Sequence, residues 1–349
     1  MSVLLIDGES PFAAPVTYCL AAAHRHPHIG SSDRFADVRF SRFRRKFRWW
    51  KDSLQLVDDV RAFAHQEQVE IIMACSDRGI RFLSENREAL ERSTAVAGTP
   101  PVESLDATVD KTNFARFVSQ ANLPHPDTVV LRAGEAIPNR LPPFPALLKP
   151  ARGSGGALIE RLEDLGALER LVDSGALEGR DWVLQSYIYG RDIDCSVICR
   201  RGRVLAYTIQ SSVHLPAPSF APVGAVDFIH DDEALGHAER LVAELQWTGI
   251  AHIDMLRAAG DGCLYVIEMN GRYWASMLGS FRAGVNFPEL ACRDGLGRSF
   301  PAPSQRPVRF VRGTFQTAWR EARRPVETAL FWRLSDPGPF VASRFRVRR

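Results

Sequence analysis

The feature that most constrains this chain is a pair of apolar strands, joined by a turn, that carry carboxylates in their interiors. Gly249 to Asn270 reads as a hairpin. Ile250–Leu256 is strand-like, Ala259-Gly260-Asp261-Gly262 is a turn, and Leu264–Met269 is the return strand. A turn centred on Asp261 pairs positions equidistant from it, so Asp254 faces Glu268. Side chains alternate along a strand, which puts Asn270 and His252 on that same face. Two carboxylates held this close repel unless a cation lies between them. Oxygen-only ligands of this kind suit Mg²⁺. The alternative is a solvated hairpin with an acidic face. The apolar setting of Glu268, in Tyr265-Val-Ile-Glu-Met-Asn270, argues against it, because a carboxylate inside an apolar strand needs a partner.

The remainder of the 349 residues divides into two kinds of pattern. At the N-terminus, strands at Ser2–Asp7 and Val69–Cys75 alternate with helices near Phe12–His24 and Leu54–Ala64. That alternation predicts an open parallel sheet, whose ligands sit at the carboxyl ends of its strands. Gly8–Ser10 and Ser76–Arg78 occupy those positions, and read equally as ordinary turn and capping residues. After the break at Thr99-Pro-Pro-Val102 come a helix at Asp110–Asn122, a turn and strand at Pro124–Leu131 and a strand at Ala146–Lys149. Strands near Trp182–Tyr187, Asp192–Cys199 and Arg203–Gln210 follow, then a loop at Leu215–Gly224 and a helix at Asp232–Leu245. The fold class is therefore α/β plus α+β: an open parallel-sheet domain followed by a larger α+β region.

Composition narrows the function. With 44 basic and 41 acidic residues the net charge is +3, which points to neither nucleic acid nor an anionic membrane. The basic and aromatic run Arg44-Arg-Lys-Phe-Arg-Trp-Trp50 reads as a surface turn or an interface. No apolar run reaches the roughly 20 residues of a membrane helix. The N-terminus does not have the form of a signal peptide. The six cysteines are scattered, as in a reduced, cytoplasmic protein.

Two further segments could bind a nucleotide. Lys149 ends an apolar strand and precedes Arg152, Gly153, Ser154, Gly155 and Gly156. Backbone N–H groups of such a loop can approach phosphate, and the lysine adds a point charge. The spacing is not that of a Walker A loop. Downstream, Gln185 could offer a side-chain acceptor and Ile188 a backbone group to adenine, with Asp192 suited to ribose hydroxyls. Taken alone, the glycine loop reads equally as a flexible hairpin tip, and the Gln185–Asp192 segment reads more often as ordinary structure.

In order and spacing these segments resemble the ATP-grasp superfamily, and within it the carboxylate–amine ligases. The matching pieces are Asp110-Lys111, Pro124-His-Pro126, Leu148-Lys149-Pro150 with Gly153–Gly156, Gln185-Ser-Tyr-Ile-Tyr-Gly-Arg-Asp192, Asp254, and Glu268-Met-Asn270-Gly-Arg272. The resemblance implies an N-terminal Rossmann-like domain over residues 1–100. Two α+β subdomains that grip ATP would follow. The smaller, 101–190, would carry the glycine-rich lid, and the larger, 191–310, the metal site; 311–349 would be a C-terminal extension. It implies that Lys111 and Lys149 contact the phosphates and that the Arg152–Gly156 loop closes over them. Gln185 and Ile188 would read adenine, and Asp192 the ribose. Asp254, Glu268 and Asn270 would hold one or two Mg²⁺ ions, for which Mn²⁺ could substitute. Arg272 would steady the transferred phosphoryl group. Two positions depart from the family pattern: Gln185 stands where the hinge often has Glu, and Gly271 replaces a proline, which should loosen the backbone before Arg272.

The implied reaction is ATP-dependent ligation. A small carboxylic acid is activated as an acyl phosphate and joined to an amine, releasing ADP and phosphate, with both substrates small molecules and the enzyme a homodimer. His252 reads as a partner of the metal ligands or a packed histidine more than as a base. Arg78, Arg282 and the stretch Ser211–Phe228 are candidate substrate contacts. An ATP-grasp kinase, another acyl-phosphate-using enzyme, and a non-catalytic nucleotide-binding protein are the alternatives.

Overall fold

Short runs of Val, Leu and Ile, too apolar to face water on either side, make the centre of the first sheet. A computed structural model describes residues 1–51, 56–153, 158–213, 224–301, 303–311 and 328–346. Strands β1 (Val3–Leu5), β2 (His28–Ser31), β3 (Phe47–Trp49), β4 (Ile71–Met73) and β5 (Ala95–Val96) lie in the order β3-β2-β1-β4-β5, all parallel. β1 and β4, at and beside the middle, are wholly buried, as expected of parallel strands covered on both faces. Helices α1 (Ala13–Ala22), α2 (Leu56–Gln66), α3 (Asp77–Glu85) and α4 (Arg87–Glu91) connect them. The carboxyl ends of β1 and β4 are sewn together by Asp7. Its carboxylate accepts from the backbone N–H of Cys75 and Ser76 and from Ser76 Oγ at 2.6 Å. Ser76 in turn caps α3 by accepting from Gly79 N.

Helices α5 (Val102–Val109) and α6 (Lys111–Gln120) lead to the second sheet. Asp110 caps α6, accepting from Thr112 N at 2.9 Å. The second sheet contains β6 (Thr128–Leu131), β7 (Ala146–Pro150), β8 (Glu160–Leu162) and β9 (Trp182–Ser186), antiparallel in the order β6-β9-β7-β8. With α7 (Leu165–Asp173) it encloses a small core of its own, built on Leu148, Leu162, Leu168 and Leu184.

The third sheet is antiparallel, in the order β14-β13-β10-β11-β12-β15. Its strands are β10 (Gly190–Arg200), β11 (Arg203–Ser212), β12 (Ala225–Ile229), β13 (Gly249–Ala258), β14 (Leu264–Asn270) and β15 (Val308–Val311). Helix α8 (Asp232–Glu244) packs on it through Ala234, Ala238, Leu241 and Val242. Two helices, α9 (Met277–Arg282) and α10 (Phe287–Gly295), tie it to other parts of the chain. Ser280 of α9 bonds Thr208 at 2.9 Å, and Phe287 of α10 meets Trp274 edge-on. Cys292 of α10 reaches Met73 of the first sheet. The stretch Ser211–Phe228, expected as loop, lies partly in strands: Ser211 and Ser212 end β11, and Ala225–Phe228 belong to β12. Residues 214–223 between them lie outside those described.

The last described segment, α11 (Ala329–Ser335) and α12 (Pro337–Arg346), returns to the elements around the first sheet. Asp336, between the two helices, accepts from Ser41 Oγ and from Arg42 N, and Trp332 stacks on Tyr18. All six cysteines are free. Among the described residues no helix is long and apolar enough to cross a membrane.

Candidate functional site

The hairpin β13–β14 places Asp254 directly opposite Glu268, and His252 opposite Asn270. The expected pairing is present, and its cause differs from expectation. The outer pair is Arg257 with Leu264, so the turn is centred between Gly260 and Asp261. Carried inward, that register would set Asp254 against Ile267. A one-residue bulge at Ile267 shifts the strand and brings Glu268 into place.

Around this pair the charges alternate. Burial raises the Glu268 carboxyl above its usual range and the Asp254 charge adds to it, whereas Lys111, Lys149 and Arg272 pull it back. Asn270 Nδ2 donates to Asp254 Oδ2 at 2.9 Å, and its Oδ1 accepts from Arg272 Nη2 at 3.1 Å. Arg272 is clamped on three further sides: Nε donates to Asp77 at 3.0 Å, Nη1 to its neighbour's carbonyl at Tyr273, and its plane lies over the Phe12 ring. The donor set is all oxygen and hard, and the mutual repulsion of Asp254 and Glu268 is relieved by a dication between them. These residues therefore fit Mg²⁺. Gly271, expected to loosen the chain here, is instead enclosed. A Cβ at this position would come within 2.8 Å of the buried Trp247 ring and 3.2 Å of Leu105.

The second sheet contributes the cationic half. Lys149 is buried on β7, and its Nζ donates to Gln185 Oε1 at 2.7 Å. Burial lowers its ammonium to about 8, against the pull of Glu268 and Asp254. Gln185 Nε2 donates to Thr128 Oγ1 at 3.0 Å and points to His125 Nε2 at 3.2 Å, and His125 Nδ1 lies 2.7 Å from the Val266 carbonyl. A carbonyl can only accept, so Nδ1 carries the His125 proton and Nε2 accepts from Gln185. The Gln185 side chain is thus consumed inside the protein, holding Lys149. The hinge is left with the backbone of Tyr187–Tyr189, where Ile188 is half-buried. Asp192, also half-buried, lies on β10 opposite Leu256.

Lys111 Nζ donates to the Gly153 carbonyl at 2.8 Å, which brings the helix start to the loop. Arg152 is 80% exposed and its Nε donates to Asp110 at 3.0 Å, so it props the cap of α6. Ser154, Gly155 and Gly156 lie outside the described residues. Arg78 lines a cavity of about 80 Å³ with Asp7, Glu9 and Ser32 at the carboxyl edge of the first sheet. Arg282, at the end of α9, is half-buried.

One acidic residue of this region, on β10, escapes a reading by motif. Asp194 follows Asp192 by two and so shares its face of β10, the one available signal. Burial, with the Asp254 charge beside it, pushes its carboxyl up to about 7. Asp194, His252 and Asp254 offer ligand atoms within 4.8 Å of one another. His252 is fixed from all sides. Its Nδ1 bonds Ser196 Oγ at 2.8 Å, its Nε2 lies 3.2 Å from Asp254 Oδ1, and its ring stacks on Trp274 at 5.3 Å. These contacts match the expected partner of the metal ligands or packed histidine more than a free base.

Comparison with known proteins bears on the fold that holds these residues. Residues 108–276 match the family model described as an ATP-grasp domain. The D-alanine–D-alanine ligase of Frankia casuarinae is 28% identical over 240 residues, 58% of this chain and 62% of that protein. The chain therefore spans less than two thirds of that relative's length. N5-carboxyaminoimidazole synthetase from Staphylococcus aureus complexed with ADP superposes with a TM-score of 0.70 at 11% identity, over 91% of this chain and 83% of the other. L-amino acid ligase from Bacillus licheniformis superposes with a TM-score of 0.61 at 17% identity, over 87% and 74%. At such identities the superpositions establish the fold.

Proposed function

The chain carries an ATP-grasp domain, and from that premise we propose that it is an ATP-dependent carboxylate–amine ligase acting on a small acid and a small amine. The observation that carries the reading is the Asp254–Glu268 pair, with Lys111, Lys149 and Arg272 acting on Glu268. A site that merely stored a nucleotide would not need two facing carboxylates with three cations around them. The named relatives support the same class: two of the three are ligases by name.

In this account Asp254 and Glu268 hold the metal, with Asn270 beside them. Mg²⁺, when bound, supplies charge that offsets the phosphates of ATP. Lys149, held by Gln185, and Lys111 add point charges from the opposite side. The hinge at Ile188 offers its backbone to adenine, and Asp192 accepts from ribose hydroxyls. An oxygen of the acid attacks the γ-phosphorus, the bond to the β-phosphate oxygen breaks, and ADP leaves. Arg272, immobilised by Asp77 and Phe12, faces the charge that develops on the moving group, so little reorganisation is needed as the reaction proceeds. The amine, after giving up its ammonium proton to solvent, then attacks the acyl carbon, a C–N bond forms, the nitrogen releases a second proton, and phosphate departs with the former carboxylate oxygen. No side chain forms a covalent bond, so positioning and electrostatics carry the catalysis.

An ADP-release screen of acids and amines in pairs tests the reading. Release that requires both partners, with the amide detected by mass, is expected. A stable phosphorylated product formed without amine would replace the ligase with a kinase.

A further inference from the structure

The acidic face continues past the metal pair onto β10 and β11, where it becomes a set of buried acceptors. Asp194 pairs with Gln210 across the two strands, and Gln210 Nε2 donates to Asp194 Oδ2 at 2.8 Å. Gln210 is 2% exposed, yet its Oε1 has no hydrogen-bond partner. Ser212 lies two residues along the same face, 3% exposed, and its Oγ has none either. Buried polar groups are rarely left unmatched, so an amide oxygen and a hydroxyl on one face of β11, the amide bonded to a carboxylate, call for a ligand. The ligand must donate several hydrogen bonds and carry positive charge.

A primary ammonium has three N–H donors and no acceptor, and matches one carboxylate, one amide oxygen and one hydroxyl. A divalent ion fits less well. Gln210 turns its nitrogen toward Asp194, and His252 has both ring nitrogens engaged by Ser196 and Asp254. The position also suits a nucleophile. Asp194 Oδ2 lies 3.9 Å from His252 Nε2, which itself lies 3.2 Å from Asp254, so this group of side chains adjoins the metal pair. The geometry points to Asp194, Gln210 and Ser212 as the subsite that takes the amine substrate as its ammonium ion. This assignment rests on the ligase reading given above.

The test uses the full chain and glycinamide, a primary ammonium without a carboxylate, with propionamide as its uncharged isostere. Calorimetry should find glycinamide bound and propionamide not. Asp194→Asn should weaken glycinamide at least tenfold. Ser212→Ala, a milder change that leaves the buried carboxylate network in place, should weaken it about threefold. Equal affinity in wild type and both variants, binding of propionamide as tightly as glycinamide, or no binding to wild type would overturn the subsite. So would loss of one bound Mn²⁺, counted by paramagnetic resonance, in Asp194→Asn, since Asp194 would then be a metal ligand. Trapping with hydroxylamine, which is uncharged near neutral pH, reports acyl phosphate without an ammonium. Hydroxamate formed by a wild type that ignores glycinamide would therefore remove the subsite and leave the ligase standing. Glycinamide binding without hydroxamate would do the reverse.

Discussion

Arg272 donates from Nε to Asp77 at 3.0 Å, joining the last residue of the acidic motif to the first turn of a helix 195 positions earlier in the chain. In the proposed mechanism the bond makes the first sheet's helix α3 a support for Arg272. Asp77→Asn keeps the shape and removes the charge that holds the guanidinium. Turnover should fall about tenfold while nucleotide affinity changes little, because misplacement of a group that acts on the transition state costs rate. Steady-state kinetics beside ADP titration checks this, and a fall in affinity matching the fall in rate would contradict it.

Glu268→Gln should act in opposite directions with and without metal. Burial and Asp254 raise the Glu268 carboxyl, so its folded value exceeds its unfolded one, and the ionised form costs stability near neutral pH. Removing that charge should stabilise the metal-free protein by roughly 0.5–1 kcal/mol, the scale of a like-charge pair across two strands. The same variant should lose the stabilisation that wild type gains from Mg·ATP. Thermal melts in chelator and in Mg·ATP measure both effects.

Lys149 predicts the pH profile. Its folded value lies near 8, below the ordinary lysine range, so the native state binds fewer protons than the unfolded chain between about 8 and 10.5. Unfolding free energy therefore gains a favourable contribution from this residue as pH rises through that window. Nucleotide affinity should move the other way, falling as the ammonium is lost above about pH 8. Gln185→Glu places a carboxylate against Lys149 and should shift that fall to higher pH. Isothermal titration of ADP at several pH values follows the shift.

Gly271→Ala should destabilise by about 1–3 kcal/mol, since the added carbon meets the Trp247 ring at 2.8 Å in a packed interior. A lowered Tm with a normal metal-free spectrum is the expected result. Unchanged stability would mean that Trp247 can move aside.

What the chain declares in its sequence is mostly local. The hairpin, the lysine ending β7 and the caps at Asp110 and Ser76 follow from periodicity and turn chemistry. Asp254 and Glu268 were legible as a facing pair, although a half-residue error in the turn and the bulge at Ile267 compensated for each other. Contacts between distant segments were not legible. Nothing near Gln185 announces that its amide serves Lys149, because His125 and Thr128, which orient it, arrive from β6 and the segment before it. Gly271 read as slack for the same reason, since Trp247 is distant in sequence. Asp194 was passed over because a single acid in a β-strand carries no motif, and its meaning depends on Gln210 across the sheet.

The most direct test of the ligase account follows oxygen. An acid labelled with ¹⁸O in its carboxylate, incubated with ATP, Mg²⁺ and an amine that supports ADP release, should yield an amide and inorganic phosphate carrying one ¹⁸O atom. That transfer occurs only if the carboxylate oxygen became bonded to phosphorus. Phosphate without label, or label retained in a stable phosphorylated product with no amide, would contradict the assignment.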